Sequence, residues 1–143
     1  RQAEQDDPRF IPGNTIWHEM DADDTTNAVG HAACTLAKDI KAEAIIAITK
    51  TGCTATRMSK FRPATRIIAA TPERKTYHQA ALQWGVQPIF VENLKELEVL
   101  IARCMEEGKK EGLLKPGDKV VISAGLPLDV PGNTNMVRVE TVR

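Results

Sequence analysis

The chain has 143 residues, with 19 basic and 19 acidic side chains and a formal net charge of +0. That suits one domain, or one domain plus a tail, and argues against a protein held to nucleic acid or anionic lipid by bulk charge. Aromatics make up 4% of residues against 42% hydrophobic overall, so the core is built from Ala, Val, Ile and Leu. No apolar run reaches the roughly 18 residues of a membrane span, and the N-terminal RQAEQDDPRF lacks the regions of a signal peptide. Cys34, Cys53 and Cys104 are odd in number and have no CxxC spacing. They argue against a disulfide framework or a four-cysteine zinc site and point to a reducing, cytoplasmic setting.

Residues 1–24 contain Pro8, Pro12, Gly13 and a set of aspartates, Asp6, Asp7, Asp21, Asp23 and Asp24. We read them as a linker or extended arm, anchored by Ile16 and Trp17, and residues 25–143 as the folded domain. Asp24 or Thr25 caps a helix with Val29, Ala32, Ala33, Leu36, Ala37 and Ile40 on one face. Ala44 to Ile48 is apolar throughout, as a strand covered on both faces must be. A short helix over Thr54–Lys60 and a strand over Arg66–Ala70 follow. Thr71 then caps a third helix, with Pro72 at its first position, running to Trp84. Val86 to Val91 reads as a strand that Pro88 places at an edge. Asn93 caps a longer helix to about Glu111, with Leu94, Leu97, Leu100, Ile101 and Cys104 or Met105 inward, and Gly112 ends it. Lys119–Ser123 and the alternating Met136–Val142 are the last strands.

Strand and helix alternate, which predicts an α/β fold: a three-layer α/β/α sandwich on a five-stranded, mostly parallel sheet. The last connection holds no helix, so the last strand is expected antiparallel at an edge. The strands Ala44–Ile48 and Lys119–Ser123 are expected side by side.

The stretch Thr49-Lys50-Thr51-Gly52-Cys53-Thr54 joins a buried strand to a helix start. Unsatisfied N–H groups and the positive dipole end favour an anion there. Threonine hydroxyls add donors, Gly52 admits close approach, and Lys50 and Arg57 add charge. Together they describe a phosphate cradle, although GxxxxGK[ST] is absent. The same residues also describe a turn that caps only its own helix. The loop Gly125 to Thr134, with Leu126, Pro127, Gly132 and Asn133, is a connection or a lid over a ligand at the strand ends. His31 and His78 have no second ligand at metal spacing, Cys53 has no base beside it, and no paired carboxylates emerge. Neither a metal nor a catalytic residue is expected in this chain.

At these residues the chain resembles the C-terminal domain of pyruvate kinases. The landmarks are TTNAVGHAACTLA, AIIAITKTGCTA, RMSKFRPATRIIAATPERKTYHQAALQWGVQPIFV, KPGDKVVISAGLP and GNTNMVRV, in the family's order from about Thr25 to Val142. Residues 1–24 do not clearly match. The resemblance implies a regulatory domain whose strand-to-helix loop binds the phosphate of an effector, and which supplies a subunit interface of a homo-oligomer. It also implies an absent catalytic barrel that would hold the family's Mg and K ions, so this chain is a regulatory fragment or a stand-alone relative. Bisphosphate-regulated members carry a Trp and an Arg on a loop after the third strand, whereas here Val91 runs into Asn93-Leu94-Lys95-Glu96. A sugar monophosphate or AMP is therefore expected rather than fructose 1,6-bisphosphate. Two other readings stand beside this one: a small enzyme or binding protein for a phosphorylated metabolite, and a purely structural assembly domain.

Overall fold

The structure, a computed structural model, describes residues 25–125, 128 and 134–143. The arm expected over residues 1–24, and Leu126, Pro127, Gly132 and Asn133 of the expected lid, lie outside them.

In chain order the elements are α1 (Thr25–Ile40), β1 (Ala44–Ile48), α2 (Cys53–Lys60), β2 (Arg66–Thr71), α3 (Arg74–Ala80), β3 (Val86–Phe90), α4 (Leu97–Lys110), β4 (Lys119–Ala124) and β5 (Met136–Thr141). The sheet order is β3-β2-β1-β4-β5. Ile46 of β1 sits between Ile68 of β2 and Ile122 of β4, both in parallel register. β5 pairs with β4 antiparallel, Ser123 opposite Val137. The α/β sandwich with an antiparallel last strand is thus observed, and β1 and β4 are neighbours.

Successive residues of a strand face opposite ways, and here both ways lead into core. Ala44, Ile46, Ile68, Ala70, Val120 and Ile122 pack under α4 through Leu100, Ile101 and Cys104. Ile45, Ala47, Ile67, Ala69 and Val121 pack under α1, α2 and α3. Full burial stabilises by about 1.5–3 kcal/mol per large aliphatic side chain, which explains why the central strands carry no polar alternation.

Three local expectations are corrected. The buried face of α1 is Thr26, Asn27, Gly30, Ala33, Cys34 and Ala37. Val29, Leu36 and Ile40 flank it half-buried, and Ala32 is exposed. Small residues suffice on the inner face: a Cβ added at Gly30 would already be in ordinary contact with Met58 Cγ, at 3.5 Å. Second, α3 begins at Arg74, not at Pro72, and ends at Ala80. Thr71 completes β2, its hydroxyl accepting the Glu73 N–H at 3.1 Å. Turns through Leu82 and Gln83 then lead to Gly85 at φ 69°. Third, Asn93 caps nothing. Leu94 packs against the core from outside the helix, and α4 starts at Leu97.

After α4 the chain folds tightly back. The N–H groups of Leu113 and Leu114 both donate to Gly108 O, at 2.8 and 3.2 Å. Leu114 is buried, and a Cβ at Gly108 would stand 2.6 Å from its Cδ1.

Candidate functional site

The chain leaves β1 for β2 on one side, while β4 pairs with β1 on the other. In open α/β sheets such a reversal opens a crevice at the carboxyl ends of the strands. Two loops meet there, the β1–α2 turn and the end of the β4–β5 connection.

The β1–α2 turn is shaped by its own side chains. Gly52 caps α2 at φ 84° and offers no side-chain cap. Its N–H donates to Thr49 Oγ1 at 2.9 Å, and the Cys53 N–H donates to Thr51 Oγ1 at 3.2 Å. The turn is also held from the next crossover, where Thr76 Oγ1 donates to Lys50 O at 2.6 Å. A Cβ on Gly52 would approach Thr76 Cγ2 to 3.3 Å in a backbone conformation that side chains disfavour. Thr54, in the first turn of α2, is 2% exposed, and its hydroxyl bonds that of Thr134. The Thr134 N–H donates in turn to Thr26 Oγ1 of α1 at 3.1 Å.

The cleft between these loops is lined by Thr49, Lys50, Thr54, Gly125, Leu128 and Thr134, with Pro72, Asn93 and Leu94 from the neighbouring strand ends. It has about 40 Å³ of open interior, room for a few waters or one small anionic group and far below a drug-sized site. Among the described residues, two charged ones line it, Lys50 and Glu92. The Glu92 carboxylate is directed to Arg103 Nε at 2.9 Å. Its own backbone hydrogen bond is the main cause that holds its pKa below the usual carboxylate value; desolvation opposes it, and Arg103 adds to the lowering.

Of the residues singled out from the sequence, the structure brings Thr49, Lys50, Thr54, Gly125 and Thr134 to one cleft. Thr51, Gly52 and Cys53 shape the turn beside it without lining it, and neither does Arg57, half-buried one turn further along α2. Thr26 and Thr76 were missed. Each acts across a long sequence separation, and a lone threonine in a helix carries no signal of that. Burial pushes the Cys34 thiol up to about 11 and the Cys104 thiol up to about 12, so both stay protonated at neutral pH. Among the described residues no group of three His, Cys, Asp or Glu is placed to hold a metal, and no helix is long and apolar enough to cross a membrane.

Comparison with known proteins agrees with the fold. The family model for the pyruvate kinase alpha/beta domain matches residues 27–140. The pyruvate kinase of Clostridium acetobutylicum is 39% identical over 118 residues, covering 82% of this chain and 25% of that protein. The Staphylococcus epidermidis pyruvate kinase is 34% identical over 141 residues, covering 99% of this chain and 24% of that protein. That alignment takes in residues before Thr25, where the sequence showed no clear likeness. The crystal structure of a pyruvate kinase from Cryptosporidium parvum superposes with a TM-score of 0.74 at 28% identity, covering 83% of this chain and 23% of that one. This chain spans about a quarter of the length of the curated relatives it matches. With the family model matching residues 27–140, most of the chain, the chain belongs to the pyruvate kinase alpha/beta domain family.

Proposed function

We propose that this chain is the regulatory domain of a pyruvate kinase, and that the β1–α2 cleft binds the phosphate of a small-molecule effector. The observation that carries this reading is the convergence of Thr49, Lys50, Thr54 and Thr134 on one cleft at the carboxyl end of the central strand. The start of α2 adds N–H groups and the positive end of its dipole. Lys50 supplies charge, and Arg57 lies on the same helix. The small interior fits one phosphate group, and Val91 runs into Asn93-Leu94-Lys95-Glu96 with no Trp and Arg to hold a second, which favours a sugar monophosphate or AMP over a bisphosphate. In this reading the domain works in the cytoplasm beside a catalytic barrel and within a homo-oligomer. The barrel, not this chain, holds Mg and K and carries out phosphoryl transfer.

A purely structural turn is favoured by one observation, that Thr49 and Thr51 already accept the Gly52 and Cys53 N–H groups. Calorimetry separates the two readings. Glucose 6-phosphate or AMP should bind the chain, fructose 1,6-bisphosphate should gain nothing from its second phosphate, and Lys50→Ala should weaken binding by about tenfold. No heat with any phosphorylated compound would leave the turn as a cap only. In a coupled assay with phosphoenolpyruvate, ADP, Mg and K, the chain alone should show no turnover. Turnover unaffected by Lys50→Ala would point to a stand-alone enzyme.

A further inference from the structure

A chain of three buried threonines joins the cleft to the first turn of α1. Thr26, Thr54 and Thr134 are 4%, 2% and 3% exposed. Thr134 stands between the other two. Its N–H donates to Thr26 Oγ1 at 3.1 Å, and its hydroxyl pairs with that of Thr54. These bonds link residues 108 and 80 positions apart in sequence.

Each threonine hydroxyl has one proton to give. The Thr54–Thr134 pair uses one of its two protons internally, which leaves one for a further acceptor. Both residues line the cleft. An anion there, an acceptor without donors of its own, takes that proton and fixes the direction of the pair. Polarised hydrogen bonds in a low-dielectric setting strengthen one another. An occupied cleft therefore holds Thr134 more firmly, and with it the N–H that is bonded to Thr26.

Resting on the anion-site reading above, we propose that Thr134 and Thr26 are positioning residues that couple occupancy of the cleft to the N-terminal turn of α1. The coupling is reciprocal: whatever displaces the start of α1 also lowers the affinity of the cleft. Residues 1–24 join α1 at this turn, so the path leads directly to the segment that precedes the domain. Neither residue touches the anion through a charge. Their contribution is to hold the Thr54 hydroxyl and the end of the β4–β5 connection in place.

The test uses the 143-residue chain with inorganic phosphate and glucose 6-phosphate as probes. Thr26→Val keeps the shape and removes the acceptor. It should weaken both probes about fivefold, whereas Thr26→Ser, which keeps the hydroxyl, should stay within about twofold of the parent. Hydrogen exchange at residues 26–30 should slow when phosphate binds the parent and should not respond in Thr26→Val. Parent-like affinity in Thr26→Val, or no phosphate-dependent slowing at residues 26–30 in the parent, overturns the coupling and leaves the anion site standing. A parent that binds neither probe overturns both. The parent exchange profile decides the coupling even where Thr26→Val does not fold.

Discussion

Two strand-to-helix turns lie side by side in this domain and differ in what they can hold. The parallel register sets Ile48 beside Ala70, so Thr49 and Thr71 stand at matching places at the ends of β1 and β2. Both hydroxyls accept a backbone N–H of their own turn, from Gly52 at 2.9 Å and from Glu73 at 3.1 Å. Beyond that they diverge. The β1–α2 turn continues through Lys50 and a glycine at φ 84°, without a carboxylate. The β2–α3 turn continues through Pro72, which has no N–H, and Glu73, in extended backbone at the helix start. The Glu73 side chain is exposed and makes no cap bond to the helix, but its negative charge stands at this turn where Lys50 stands at the first. The crossover topology presents a positive helix end at each turn, and the side chains give the two turns opposite charge, Lys50 at the first and Glu73 at the second.

Breaking the first turn should have the largest effect. Gly52→Val forces a β-branched residue to positive φ against Thr76 and should cost about 1–3 kcal/mol of stability, read by urea unfolding. Phosphate binding by whatever protein remains folded should be lost in calorimetry. Lys50→Glu gives the first turn the charge of the second, and sugar phosphate affinity should fall by more than about tenfold. Thr54→Ala should weaken binding by about tenfold without altering charge. Thr76→Val cuts the bond that ties the second crossover to Lys50 O. It should lower stability by about 1 kcal/mol in the same urea experiment and loosen binding by less than Thr54→Ala. The smallest change is expected beneath the cleft. Ser123 Oγ is fully buried and has no hydrogen-bond partner among the described residues. Ser123→Ala should therefore range from neutral to about 1 kcal/mol more stable. Marked destabilisation would mean that the hydroxyl is satisfied in solution.

The sheet was legible because its strands are unbroken apolar runs, such as AIIAI, separated by helix-length segments. The β1–β4 pairing is the expectation on which joining the two loops in one site depends, and it is observed. Periodicity misplaced the α1 face because it weights large apolar residues, whereas the buried face carries Gly30, Ala33 and Ala37. The ends of α3 and α4 escaped it for a different reason. Thr71 is held in the β2 ladder, and after Asn93 the chain first packs Leu94 on the core, so neither expected cap stands at a helix start. In the site, the Thr49–Thr54 turn was visible as a local cluster. The Thr26–Thr134–Thr54 chain was not, since no local pattern links residues from three separate elements.

The tight return after α4 bears on how this domain could be engineered. Gly108 lies inside a helix, where replacing glycine by alanine ordinarily adds about 1 kcal/mol of stability. Here the new methyl would meet Leu114 at 2.6 Å, and Leu114 is a wall of the core under the sheet. A consensus or propensity-guided redesign would choose this position among the first, and the melting temperature should fall rather than rise. The glycine is kept as a socket, and the leucine that fills it docks the segment leading to β4 against the helix it has just left.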